Sequence, residues 1–156
     1  MFKNNEGVAD PTAGLAMSHV MKEYKEKQKK EFRRKDEIRH RKKAYLISRF
    51  AGDIDANVMA AREFARFLIV RKHKIPIVSH LLFPQMFSVS GDTGEPTDIR
   101  ELGLLYGLAL LEMCDEAYVF TNGQPMSEGM EAEVRECKKL GIPVTVIESE
   151  VSRLWK

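Results

Sequence analysis

Residues 115–134 read DEAYVFTNGQPMSEGMEAEV. The run at 117–121 is short, apolar and rich in β-branched and aromatic side chains, which predicts a buried strand. Asn122 and Gly123 supply a turn, and Ser127 opens a helix that carries Glu133 inward. A strand passing through small residues into a helix leaves the N–H groups of the first helical turn pointing past the strand end, where they can receive a polar or anionic ligand. The chemistry of this chain is therefore sought at that junction.

Three further apolar runs stand around it. Residues 44–48 (AYLIS) predict a first strand ending in SRFAGD, where Gly52 permits tight backbone approach. Asp53 or Asp55 can cap the next helix, whose Val58, Ala61, Ala65 and Leu68 follow the helical period. Residues 75–79 (IPIVS) predict a second strand ending at His80, and Pro76 assigns it to an edge or a strand entry. Residues 142–147 (IPVTVI) predict a last strand after Gly141, a helix C-cap signal. Strands alternating with helices predict an α/β fold, a Rossmann-like (flavodoxin-like) parallel sheet of about four to five strands flanked by helices. The ligand site then falls at the carboxyl ends of the strands, which carry Ser48, Arg49, His80, Asn122 and Ser127.

Two segments complete the domain. Residues 80–96 form a long connection, a candidate cover for the pocket whose Leu81, Leu82, Phe83, Met86 and Phe87 call for partial packing. Residues 98–113 are apolar almost all round, which suits a helix covered by the sheet on one side and by another subunit on the other, so a homodimer or higher homo-oligomer is expected.

The net charge of +2 hides a division. Residues 21–43 hold 12 Lys/Arg against 5 Asp/Glu, whereas residues 44–156 hold 12 against 16. Residues 1–43 thus form a basic N-terminal arm, loosely attached over its first dozen residues and helical from about 13, and residues 44–156 form the folded domain. The run from Lys22 to Lys43 reads either as a phosphate-tracking arm for nucleic acid or as a solvated helix. In the second reading the stripe Met17, Val20, Met21 and Tyr24 packs on the domain or on a second copy, and interleaved acids support i,i+4 pairs.

No apolar run reaches the roughly 20 residues that cross a bilayer, and MFKNNEGVAD lacks a signal-peptide core. Cys114 and Cys137 have neither metal-ligand nor redox-motif spacing. These features predict a cytoplasmic chain with reduced thiols, no membrane association, no metal and no cofactor.

Within the helix after Ser127, that serine can accept an amide hydrogen bond, Gly129 admits a ligand to the backbone, and Glu133 lies almost two turns in among Met130, Ala132 and Val134. A carboxylate at that depth is costly unless it is paired or used. Spacing alone also permits a surface glutamate in an i,i+4 contact.

Residues 45–147 resemble the nucleoside 2-deoxyribosyltransferase superfamily, in particular its small bacterial and phage branch with a YxxS loop and a late SEGMxAE motif. Ser127-Glu128-Gly129-Met130-Glu131-Ala132-Glu133 fits the pattern S-x-G-x-x-x-E. The resemblance implies that Ser127 binds the 5′ end or phosphate of a nucleoside or nucleotide, that Gly129 and Met130 line the cradle, and that Glu133 attacks the anomeric carbon. It also implies that Tyr45 and the loop with Ser48, Arg49, Gly52 and Asp53 hold base and sugar, with His80 after the second strand. The sequence departs from the family at the helix before residue 115, where Gly107 stands near the place of an expected aspartate. Glu101 or Tyr106 is the nearest replacement, and Glu101 is the candidate acid. The alternative reading is a catalytically weak nucleotide-binding or sensing module with a nucleic-acid- or partner-binding arm.

Overall fold

The computed structural model describes residue 7 and residues 11–86 and 99–156, with the side chains of residues 85 and 99–101 left out. The chain divides into two compact units, Met1–His40 and Arg41–Lys156.

The first unit is helix α1, Pro11–Arg39, which has no buried residue. Pro11 starts it: its fixed φ suits a first helical turn, where the missing N–H has no partner to lose. The helix thus begins two residues before the expected position.

The second unit is built on four parallel strands: β1 (Lys43–Ser48), β2 (Ile75–Ile77), β3 (Glu116–Phe120) and β4 (Val144–Ile147). Their order is β2-β1-β3-β4, the flavodoxin-like arrangement. β1 and β3 are central and almost wholly buried because parallel strands are covered on both faces. Period-two alternation separates two cores. Ala44, Leu46, Tyr118 and Phe120 face helix α2 (Ile54–Val70) through Ala61, Phe64 and Leu68, whereas Tyr45, Ile47, Ala117 and Val119 join Leu111, Met130 and Cys137 on the other face.

Those last residues come from α4 (Ile99–Glu112) and α5 (Glu128–Leu140). The amphipathic pattern of α5 turns Met130 and Cys137 inward, and Gly141 ends the helix at φ +70°. Helix α4 buries Leu111 and Gly107 and exposes Leu104, Leu105 and Tyr106. Pro76 lies on an edge strand, where its missing N–H costs no ladder bond.

β4 starts at Val144 rather than at residue 142, and two boundaries around β2 also differ from expectation. β2 stops at Ile77, because Val78 and Ser79 accept from the N–H groups of Leu81 and Leu82 and turn the chain into a 3-10 turn, Ser79–Leu81. The connection at 80–96 is therefore not irregular throughout: helix α3 (Phe83–Met86) follows, and residues 87–96 lie outside the described residues. Among the described residues no helix is long and apolar enough to cross a membrane.

Candidate active site

Ser127 caps α5 by accepting the Met130 N–H at 3.3 Å, which fixes the phase of the helix. Met130, Glu133 and Cys137 then share its inward stripe at i, i+3 and i+7. Met130 and Cys137 go into the core, so Glu133 is drawn under the sheet between them. It meets Tyr45 from β1, whose hydroxyl donates to Glu133 Oε1 at 3.0 Å and lies 3.0 Å from Ser79 Oγ. A phenol has one proton, so with Tyr45 donating to Glu133 the Ser79 hydroxyl donates to Tyr45.

Electrostatics follow from this burial. Loss of water pushes the Glu133 carboxyl up to about 7, against the opposing pull of the Tyr45 hydrogen bond. Tyr45 is raised strongly, first by burial and then by the Glu133 charge, so it stays a protonated donor. Helix α4 closes the cluster with Gly107: a Cβ there would meet Tyr45 Oη at 3.5 Å and Ser79 Cβ at 3.6 Å. Gly107 thus faces the group formed by Tyr45, Ser79 and Glu133, and the Tyr45 hydroxyl stands where a side chain from 107 would reach. Glu101 belongs to the first turn of α4, and its side chain lies outside the described residues.

The carboxyl ends of β1 and β2 make a second group. Ser48 is buried, and its Oγ has no hydrogen-bond partner among the described residues. Its carbonyl is 3.1 Å from His80 Nε2, and the His80 ring stacks on Phe50 at 5.1 Å with an interplanar angle of 17°. Burial lowers the His80 pKa below its ordinary value, against the opposing pull of the Ser48 carbonyl, and so favours the neutral ring. Arg49 reaches across the crevice between β1 and β3 and donates to the Pro125 carbonyl at 2.8 Å. It ties the loop after β1 to the loop before α5, at the point where the strand order reverses.

A family model described as a domain of unknown function, DUF7768, matches residues 42–147. The chain belongs to this family. No curated protein matches the chain. The DUF7768 match takes in both side-chain groups just described and excludes α1.

Other expected ligand contacts of the DUF7768 domain have local structural work. Asp53 caps α2, accepting from the Ala56 N–H at 3.1 Å, and Gly52 before it holds φ +101°. Met130, expected to line the cradle, is only 2% exposed and packs with Tyr45 and Leu111 beneath the sheet. Its position follows from the cap: one residue in the first turn must enter the core, and the largest apolar side chain does so. Gly129 is exposed with open space where a Cβ would stand. Asn122 holds the turn after β3, accepting from the Val151 N–H at 2.9 Å.

Sequence reasoning missed Ser79 and Phe50. In the sequence Ser79 reads as the end of a strand, where a lone hydroxyl carries no signal, and Phe50 sits in a loop without periodicity. Only the packing of β2 and α4 against β1 gives them roles.

Proposed function

We propose that this chain cleaves or transfers the N-glycosidic bond of a nucleoside or nucleotide, with Glu133 as nucleophile. The observation that carries the reading is the Tyr45–Glu133 contact, a carboxyl held almost two turns into a helix on an apolar background with one oxygen fixed by a buried phenol. A structural carboxyl would be satisfied by charge or by several donors, whereas here burial leaves it poised near neutrality.

In the reaction, a Glu133 oxygen attacks C1′ of the sugar and the C1′–N bond breaks, its electron pair leaving with the base. The resulting glycosyl ester is resolved by water, giving hydrolysis, or by a second base, giving transfer. The carboxylate charge stabilises the oxocarbenium character of both transition states. The Tyr45 hydrogen bond orients the nucleophile and favours its ionised form. Ser127, Gly129 and the first N–H groups of α5 support binding of the 5′ end, with Arg49 held nearby on Pro125.

Incubation with deoxynucleosides and their monophosphates, followed by chromatography for free base, tests the reading. Release of base by the wild type and not by Glu133→Ala supports it; equal release by both removes Glu133 from the mechanism.

A second reading has its own observation. Position 107 supplies no acid, and Tyr45 is too weak an acid to protonate a leaving base readily. General acid help is worth about 10²- to 10⁴-fold, so a site without it supports binding or sensing of a nucleotide better than its turnover. Calorimetric nucleotide binding with no turnover favours this reading; absence of any nucleotide binding counts against both.

A further inference from the structure

The two edges of the sheet are unlike. On β2, Pro76 offers no N–H, a common way to blunt an edge. On β4 the Ala117 N–H donates to Pro143 O at 2.9 Å and the Thr121 N–H to Ile147 O at 3.2 Å. Residues 143, 145 and 147 therefore face β3, and alternation turns the N–H and C=O groups of Val144 and Val146 outward. Among the described residues no strand lies beyond β4, and its VTVI sequence contains neither proline nor charge.

The surface beside this edge is apolar. Val146 is 49% exposed and Leu140, at the end of α5, is 42% exposed, with Ile142 and Val144 half-buried between them. After β4 the chain crosses to the opposite face, where Val151, Leu154 and Trp155 pack on the α2 side. The tail thus leaves the edge clear.

We propose that β4 pairs antiparallel with β4 of a second copy about a two-fold axis near Thr145, joining two sheets into one continuous sheet. Val144 of one copy then lies opposite Val146 of the other in both directions, as an isologous contact requires. Charge selects this occupant and this direction. Lys138 precedes the strand and Glu148 follows it, beside Lys139, whose Nζ lies 3.7 Å from Glu136 of its own helix, and Glu150, whose side chain lies over Gly123. Antiparallel pairing sets the lysines of each copy beside the glutamates of the other, whereas parallel pairing would stack like charges.

Sedimentation equilibrium of the full chain tests the proposal, and a dimer is expected below roughly 100 µM. The Lys138→Glu/Lys139→Glu variant makes both ends of β4 acidic, and the Glu148→Lys/Glu150→Lys variant makes both basic. Each should weaken self-association by about tenfold or more, and an equimolar mixture of the two should recover the dimer. Circular dichroism identifies any variant that fails to fold, and Val146→Pro, which removes an outward N–H, then replaces it. A wild type monomeric at that concentration overturns the proposal. So does a dimer that ignores the charge exchanges, including one dissolved by Leu105→Glu on α4. None of these outcomes depends on Glu133 or on turnover.

Discussion

The hydroxyl of Tyr45 donates to Oε1 of Glu133 at 3.0 Å and joins the middle of β1 to the inward face of α5. This one bond gives the buried carboxyl an orientation while leaving it only partly compensated, since burial still holds it near 7.

Turnover, on the proposed mechanism, needs Glu133 ionised, so kcat/KM should climb with pH through about 7. Tyr45→Phe removes the one hydrogen bond that lowers this pKa and should move the rising limb to higher pH. A pH–rate profile unchanged by Tyr45→Phe would separate Tyr45 from the ionisation of Glu133.

Stability should show the same group with the opposite sense. Folded, Glu133 takes up its proton near 7; unfolded, it does so near 4.5. The folded state binds more protons between those limits, so this stability is fully present below about 4.5 and is lost as pH rises through about 7. Glu133→Gln removes the effect and should stabilise the protein at pH 8 by up to roughly 3 kcal/mol while changing little at pH 4. Urea unfolding at the two pH values measures the difference, and a Gln variant less stable at pH 8 contradicts it.

Gly107 is not required by crowding, because the nearest atoms to an added Cβ lie at ordinary contact distance. Gly107→Ala should therefore fold and gain up to about 1 kcal/mol from helix propensity. Gly107→Asp would set a second carboxyl against Tyr45 and should raise the pKa of Glu133 further by like-charge repulsion. Carboxyl carbon shifts in a ¹³C-labelled sample report that pKa directly.

Asp53 separates a cap from a ligand contact. Asp53→Ala should cost about 1 kcal/mol through loss of the bond to the Ala56 N–H, and Asp53→Asn should recover most of it. Nucleotide affinity measured on the same variants should stay level; a large loss in Asp53→Asn would assign the carboxylate to the ligand.

On α1, Lys22, Lys25, Lys29 and Arg33 fall at i, i+3, i+7 and i+11 along one side of a helix without buried residues. If that side tracks phosphates, deleting residues 1–41 should abolish salt-sensitive retention of DNA or RNA, whose log affinity falls by about 0.9 per contact per decade of salt. Equal retention by the shortened chain would leave α1 a solvated helix.

Much of the fold was legible because local rules and tertiary context agree there. The cap at Ser127, the glycine stop at 141 and the Asn122–Gly123 turn depend on backbone needs that a few side chains meet, so their positions are readable from residues 115–141 alone. The four apolar runs similarly declare parallel strands, of which the central β1 and β3 are the buried ones. The boundary of β2 was not legible, because IPIVS remains strand-like in propensity while Val78 and Ser79 hydrogen-bond into a turn.

The site divides in the same way. From its own residues the chain determined a helix capped at Ser127 that carries Glu133 almost two turns in, and left a pocket-facing carboxylate and a surface glutamate both open. What that carboxyl meets was decided only when β1, the end of β2 and α4 came together around Tyr45 Oη. Tyr45, Ser79, Gly107 and Glu133 are far apart along the chain, and no period or propensity connects them. Sheet order and register bring them into contact, and burial then sets the protonation of the carboxyl they surround.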